Sequence, residues 1–578
     1  MSRAKLPVVA AGRDWAAVLG GRLTLGPGDL SHHAVEVTRN RLRLALICFV
    51  LVFTVLGGRL VQLTVLENQP AWQAGAQTHQ QMLRPTIVDR NGVVLATQIS
   101  TLTLGADVAM IDDGQAMAAR LKQILPDLKQ ARAARLMSGK DRYVELQSGL
   151  TPAQRQAVLA LGDPALKLTR ASSRVYPTGH VMSHSVGFTS SDMRGLAGLE
   201  LYLDRLVAEE DFEGVFESSL DVRVQHNVRD VLQETMAKYQ AKAAAAIVVD
   251  VHSGEIISLV SLPDFDANEP MAQGHAPHFN QVTSGVYELG SIFKIFTAAM
   301  ALDTGLVAED ESFDVREPIT IGRKTFKDDH GQERVLTMDE VIVHSSNIGT
   351  VQMVMRVPAD VHYEFIGKLG FLDSVPFEFP ETAEPLVPAR WTDIERATSS
   401  FGYSFSVSPL AAVMAGAAMV NGGVLYEPSL RKVGLPVGQR IIAAETSRSL
   451  RRMMRSVVTH GTARQANVPG YQILGKTGSA EKHMVGGYNK EALVTSFLGA
   501  FPARAPRYAM LVMFDEPQGH AETFGLNLAG WNAAPAAGEI VRRTASLLGV
   551  LPRAEFPAEQ AAVLETEKPI AEVAYAPR

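Results

Sequence analysis

Three short strings stand in one order along the chain: Ser291-Ile-Phe-Lys294, then Ser345-Ser346-Asn347, then Lys476-Thr477-Gly478. A hydroxyl and an amine three residues apart can serve as a nucleophile and its base, and a second hydroxyl beside an amide can relay a proton. A third segment carrying an ammonium and hydroxyls can hold a carboxylate. Together these residue types would perform serine acyl transfer. Ser-x-x-Lys alone is a weak signal, because a chain of 578 residues should contain about one by chance. Order, separation and surroundings make the set specific.

Ser291 follows Gly290 and opens the apolar run Ile292 to Leu302, which reads as a helix buried inside a domain. Its hydroxyl would lie in the first turn, where backbone N–H groups and the positive helix end favour developing negative charge. Lys294 falls on the same helical face. To act as a base it must be neutral part of the time, and burial among Phe293, Ile295 and Phe296, with a second cation nearby, would lower its pKa. The plainer alternative is a helix-capping Ser with an unrelated surface Lys. Ser345 can hydrogen-bond Lys294 and pass a proton toward a leaving amine, and the Asn347 amide can hold both a lysine and a substrate carbonyl. Alone, that string would be an ordinary polar turn. Gly475 to Ser479 reads as an edge strand lining a groove. There Lys476 supplies positive charge, Thr477 and Ser479 supply hydroxyls for a substrate carboxylate, and Gly478 lets another backbone approach closely. The backbone N–H groups of Ser291 and Ser479 would form an oxyanion hole, each worth on the order of 3 kcal/mol of barrier.

The elements that must position these residues follow from hydrophobic pattern. From Asp221, a cap residue, Val224, Val228, Val231, Leu232 and Met236 recur at helical spacing, and a domain boundary is expected there. Ala246 to Val251 and Ile256 to Leu262 read as antiparallel strands around a His252-Ser253-Gly254-Glu255 turn. Later strands are expected at Gln472 to Leu474, Thr495 to Phe501 and Tyr508 to Phe514, before a closing helix near Ala536 to Leu548. This is an α+β pattern, an antiparallel sheet with helices around it. Upstream, Thr86-Ile87-Val88 and Val93-Val94-Leu95 flank an Asn91-Gly92 corner, a hairpin signal, and residues 115–159 read as partly helical.

A chain this long requires two to four domains. The formal net charge of -6 carries no basic, aromatic-interleaved patch, so nucleic acid is not an expected partner. Leu44 to Gly58 is uncharged and almost wholly apolar, and Leu60 to Leu66 extends it beyond Arg59, giving the roughly 20 residues that span a hydrocarbon core. Arg39, Arg41 and Arg43 precede the run and the next Lys or Arg after Arg59 is Arg84, so the N-terminus is expected to be cytoplasmic. A cleaved signal peptide is the rival reading, against which an arm of about forty residues is long for a signal n-region. The only cysteine, Cys48, lies inside this run and cannot brace an exported part. The expected segments are a cytoplasmic arm (1–43), a transmembrane anchor (44–66), a non-catalytic domain of mixed structure (67–220), a catalytic domain (221–555) and a disordered tail (556–578) poor in large apolar residues.

With the three motifs in this order, the chain resembles the class B penicillin-binding proteins, peptidoglycan D,D-transpeptidases for which this triplet is the signature. The resemblance runs over roughly residues 40 to 550. Arg84 to Ala96, Arg174 to Gly187 and Gly195 to Glu200 resemble strings of that family's non-catalytic, dimerisation-type pedestal. Asp264 to Asn268, Phe401-Gly402-Tyr403 and Asn421-Gly422-Gly423 resemble landmarks of its β-lactamase-like transpeptidase domain. The stretch Ala529 to Pro535 is most similar to the division-specific, FtsI-type branch. The resemblance implies catalysis by Ser291, Lys294, Ser345, Asn347 and Lys476, and substrate binding by Thr477, Gly478 and Ser479. It implies stem peptides ending in D-Ala-D-Ala as substrate, β-lactams as acylating mimics, and an FtsW-type glycan polymerase with other division proteins as partners at the inner membrane. The catalytic domain would be periplasmic. Two departures are visible: Leu289 stands where the family usually carries Pro, and Ser479 where it often carries Thr. An elongation-type transpeptidase, a serine β-lactamase or carboxypeptidase, and a non-enzymatic division scaffold are the alternatives.

Asp328-Asp329-His330 lacks further ligands at a recognised metal spacing and reads as a solvated loop. His180 and His184 stand four apart, but Pro177 and Gly179 oppose the helix that would align them. No metal and no cofactor are expected; Walker and dinucleotide glycine patterns do not occur.

Overall fold

The computed structural model describes residues 44–58 and 84–553, apart from 211, 213, 273, 275–277, 330 and 485–486. Two units separate at Met82, and the first contributes only the helix at 44–58. Among the described residues no helix is long and apolar enough to cross a membrane. The expected anchor at 44–66 runs past that helix into residues 59–66, which lie outside the described ones. So do the arm 1–43, residues 67–83 and the tail from 554.

The second unit opens on the expected hairpin, β1 (Thr86–Val88) and the 14-residue β2 (Val94–Asp107), paired antiparallel with Ile87 opposite Ala96. The Asp89 carboxylate closes the corner, accepting from Asn91 N at 2.8 Å and Val93 N at 2.9 Å. From Thr97 onward β2 pairs with β4 (Leu166–Val175), and its end from Leu104 pairs with β3 (Tyr143–Gln147); this far end carries α1 (Gly114–Ile124), α2 (Gln130–Met137) and α3 (Pro152–Ala160). These pieces have a core of their own, with Leu104, Ala118, Leu121 and Leu125 fully buried. The near half is different. Ile87, Leu95 and Tyr176, with Leu199 and Leu203 of α4 (Gly198–Glu210) and Phe216 of β5 (Val215–Glu217), join the main core beyond residue 221. Asp221 caps α5 (Val222–Lys238), accepting from Arg223 N at 3.0 Å, and it also accepts from Asn91 Nδ2 at 3.1 Å. The expected boundary therefore coincides with a helix start, while the apolar core runs through it. Arg84 and Arg174 clasp the buried Glu200, with Arg174 Nε 2.7 Å from Oε1.

The central sheet is antiparallel throughout, in the order β8 (Leu474–Met484), β9 (Gly487–Phe501), β10 (Tyr508–Asp515), β6 (Ala243–Asp250), β7 (Ile256–Leu262). Every residue of β7 and all of β6 but Asp250 are buried, because both faces are covered. On one side lie α5 and α11 (Ala533–Thr544). On the other, α9 (Pro409–Val420), buried at all twelve positions, packs on β6, β9 and β10. The four alanines opening β6 and the small residues of α9 let these layers approach closely. Around them stand α6 (Phe293–Asp303), α7 (Met338–His344), α8 (Asn347–Arg356) and α10 (Ala444–Thr459), with α10 against β8 at the open edge of the sheet. Of the strand expected at 472–474 only Leu474 is in β8, which continues through Lys476-Thr477-Gly478.

Candidate active site

Ser291 occupies a 3-10 turn, Gly290–Ile292, that leads directly into α6 and leaves it half-buried. The helix is held by its apolar faces. Phe293 meets Phe296, Phe371 and Phe405 at centroid distances of 5.3, 5.4 and 4.8 Å, and burying each such ring contributes about 1.5–3 kcal/mol. Lys294, one turn from Ser291, is consequently locked inside the protein with 0% exposure. Its Nζ donates to the Ser345 carbonyl, to Ser345 Oγ at 3.1 Å and to Asn347 Oδ1 at 2.7 Å.

Ser345 sits at the C-cap of α7 in the left-handed region, φ 60°, a conformation that costs a non-glycine residue on the order of 1–3 kcal/mol. Ser346 then caps α8, accepting from Gly349 N at 3.0 Å. The Asp328 carboxylate braces this junction, accepting from Ser346 Oγ at 2.6 Å, Asn347 N at 2.5 Å and Ile348 N at 2.9 Å. Asp328 stands in a loop, as expected, but half-buried and bonded to the α8 N-terminus instead of merely solvated. A carboxylate at a helix N-terminus satisfies orphan N–H groups that no local motif would reveal, because its partners lie 18 to 20 residues on. His330 lies outside the described residues. His180 Nδ1 is 3.2 Å from Asp264 Oδ1 and His184 Nε2 is 3.2 Å from the Pro263 carbonyl, so the two rings serve different partners.

Lys476, also with 0% exposure, comes in from β8 on the other side. Its Nζ donates to Ser345 Oγ at 3.0 Å and to the Thr477 carbonyl at 3.1 Å. One hydroxyl oxygen is therefore shared by two buried ammonium groups. Burial drives the Lys294 pKa down to about 7, with the negative charges of Asp328 and Asp329 opposing. Burial, and then the neighbouring Lys294, lower Lys476 strongly as well. With both lone-pair sides of Ser345 Oγ occupied, its own proton is free to be donated elsewhere.

The edge strand meets the Ser291 turn backbone to backbone. Gly290 adopts φ +59°, and a Cβ there would lie 2.8 Å from the Ser479 carbonyl oxygen; one on Gly478 would lie 2.2 Å from the Leu289 carbonyl. Glycine at both positions is what permits this approach. Thr477 Oγ1 lies 2.6 Å from Thr462 Oγ1, a pairing the sequence reading missed, and Ser479 Oγ accepts from Ala529 N at 3.1 Å. All eight sequence-selected residues thus converge on one locus, although Lys476 faces Ser345 rather than an open groove. Chemically, the locus offers a half-exposed hydroxyl, a buried amine poised near neutrality, a relay hydroxyl and two adjoining backbones able to present N–H groups.

The chain matches the family model described as the penicillin binding protein transpeptidase domain over residues 244–541, and that of the penicillin-binding protein dimerisation domain over residues 79–215. It is 37% identical over 487 residues to the probable peptidoglycan D,D-transpeptidase FtsI of Caulobacter vibrioides, covering 82% of each chain. To PenA of Neisseria gonorrhoeae, also named a probable peptidoglycan D,D-transpeptidase, it is 31% identical, covering 81% of this chain and 85% of the other. To FtsI of Escherichia coli it is 28% identical, covering 88% and 92%. Among solved structures it is similar to penicillin-binding protein 3 of Mycobacterium tuberculosis complexed with aztreonam, with a TM-score of 0.64 at 25% identity, covering 82% of this chain and 97% of the other.

Proposed function

From the premise that this chain belongs to the penicillin-binding transpeptidase family, in its class B, FtsI-type branch, we propose how its residues carry out D,D-transpeptidation. Ser291 Oγ attacks the carbonyl between the two terminal D-alanines of a stem peptide and gives its proton to Lys294. The oxyanion is received by the N–H groups of Ser291 and Ser479. Collapse breaks the D-alanyl-D-alanine bond, and the leaving amine takes a proton through Ser345, which Lys294 and Lys476 recharge. The acyl group now rests on Ser291 as an ester. An amine of a neighbouring stem attacks that ester, forms the cross-linking amide and returns a proton to Ser291. Asn347 orients Lys294 and the substrate carbonyl, while Thr477 and Ser479 hold the terminal carboxylate, to which the buried Lys476 contributes positive charge from behind. A β-lactam enters the same path, its ring amide standing in for the scissile bond.

The observation that carries this reading is the placement of Ser345 Oγ, 3.1 Å from Lys294 Nζ and 3.0 Å from Lys476 Nζ, with both lysines wholly buried. A purely structural serine has no use for two wholly buried lysines, whose charged forms are costly to desolvate. The reading extends to the membrane. The apolar helix at 44–58 and the arginines ahead of it support a single-pass inner-membrane anchor at 44–66 with a cytoplasmic N-terminus. A periplasmic catalytic domain at 221–555 on a pedestal at 67–220 would then work beside an FtsW-type glycan polymerase at the septum. The direct test is labelling of membranes by a fluorescent penicillin, wild type beside Ser291→Ala, followed over time. A stable band lost only in the variant is the expected result. A band that persists in Ser291→Ala overturns the assignment of the nucleophile, and one that decays within minutes indicates a hydrolase.

A further inference from the structure

Glu288, three residues ahead of Ser291, has a carboxylate that joins three segments. Its Oε1 accepts from the Ser404 backbone N–H at 2.7 Å and from the Tyr488 hydroxyl at 2.9 Å. Its Oε2 is buried with no hydrogen-bond partner. An orphaned buried acceptor is costlier than a surface carboxylate at this position would be. Ser404 is itself in the left-handed region, φ 70°, and Glu288 holds its N–H.

The turn containing Ser404 is pressed against the turn containing Ser291. Gly290 N donates to the Gly402 carbonyl at 3.2 Å, and a Cβ on Gly402 would lie 2.1 Å from the Gly290 carbonyl oxygen. Just before Glu288, Tyr287 exchanges both backbone hydrogen bonds with Val407, at 2.9 and 3.1 Å. Tyr488 belongs to β9, and the Tyr403 hydroxyl accepts from the Glu481 N–H of β8 at 3.0 Å, two residues beyond Ser479. The rings of Tyr403 and Tyr488 meet edge-on at 5.4 Å. The Glu288 carboxylate therefore lies where the Ser291 turn, the 402–404 turn and the β8–β9 hairpin come together.

We propose that Glu288 is a positioning residue for the acylation step. Its carboxylate keeps the Ser291 turn in register with β8, so that the N–H groups of Ser291 and Ser479 converge on one oxyanion. It acts through these backbones and touches no reacting atom, and the inference rests on the reading of Ser291 as nucleophile. Both hydrogen bonds are accepted by a single oxygen, so the clamp requires an acceptor at Oε1 and not a negative charge. Burial raises the Glu288 pKa, opposed by the Tyr488 and Ser404 bonds and by the charges of His483 and Lys324, which agrees with a carboxyl valued for its geometry.

The test uses the full chain in detergent and measures fluorescent-penicillin acylation against time and concentration, separating non-covalent affinity from the acylation rate constant. Glu288→Ala is expected to lower the rate constant about 10- to 100-fold while affinity changes less than about threefold. Glu288→Gln, which keeps the carbonyl acceptor, should restore most of that rate, and Tyr488→Phe, which removes one of the two bonds, should give an intermediate loss. A rate constant for Glu288→Ala within about twofold of wild type, a loss confined to affinity, or a Gln variant no better than Ala would each overturn the proposal. If Glu288→Ala fails to fold, Tyr488→Phe decides: a lowered rate constant supports the clamp and an unchanged one overturns it. A wild-type chain that takes no label overturns the Ser291 reading together with this inference. A labelled wild type with an unaffected Glu288→Ala overturns this inference alone.

Discussion

Acidification should slow the acylation of Ser291 in proportion to the loss of neutral Lys294. The Lys294 ammonium is fully buried and its acceptors are the Ser345 carbonyl, Ser345 Oγ and Asn347 Oδ1, so desolvation dominates and its pKa falls to about 7. Only the neutral amine can take the Ser291 proton. The rate constant should therefore be half-maximal near pH 7, drop about tenfold per pH unit below it and level off above; at pH 5 roughly 1% of the amine is neutral. Asp328 and Asp329 oppose the shift, so Asp328→Asn, which retains an acceptor for the α8 cap, should move the acid limb to lower pH. Stopped-flow acylation by a chromogenic cephalosporin from pH 5 to pH 9 measures both. A rate flat across that range, or a limb that moves upward in Asp328→Asn, would refute the reasoning. The same shift affects stability. The unfolded chain holds the Lys294 proton up to its ordinary value of 10.5, whereas the folded chain releases it near 7. Between those values the unfolded state binds more protons, so the contribution of Lys294 to stability rises with pH. In denaturant titrations, wild type should gain roughly 2–3 kcal/mol on Lys294→Met between pH 7 and pH 9.

Gly478→Ala should drive β8 away from the Ser291 turn, since its Cβ would lie 2.2 Å from the Leu289 carbonyl oxygen and no side-chain rotation relieves a backbone clash. Acylation should fall by about tenfold or more and stability by about 1–3 kcal/mol; wild-type labelling with an unchanged melting temperature would contradict this. Lys476→Ala should slow acylation more for β-lactams that bear the ring carboxylate than for neutral esters of the same compounds. An equal loss for both would leave Lys476 as a partner of Ser345 alone.

Much of this protein was legible in the order of its residues. Strands announce themselves by apolar runs between turn residues, so β7 coincides with the expected Ile256 to Leu262, and the start of α5 follows from a cap residue ahead of helical spacing. The motif residues were legible because reactive chemistry narrows the choice of side chain, and three such strings in one order are improbable without a common task. What the order of residues could not disclose was every relation between distant segments. Asp328 reaches the cap of α8 across 18 to 20 residues, Thr462 reaches Thr477 across 15, and Glu288 reaches Ser404 and Tyr488 across 116 and 200. Nor could local pattern show that the core would run through Asp221 or that Lys476 would face Ser345. Propensity and periodicity act over a turn or two of chain, so they specify which elements form and which side chains they carry. Burial, the depressed Lys294 pKa and the junction of β8 with the Ser291 turn arise only when packing excludes water from several segments at once, and that is a property of the folded chain.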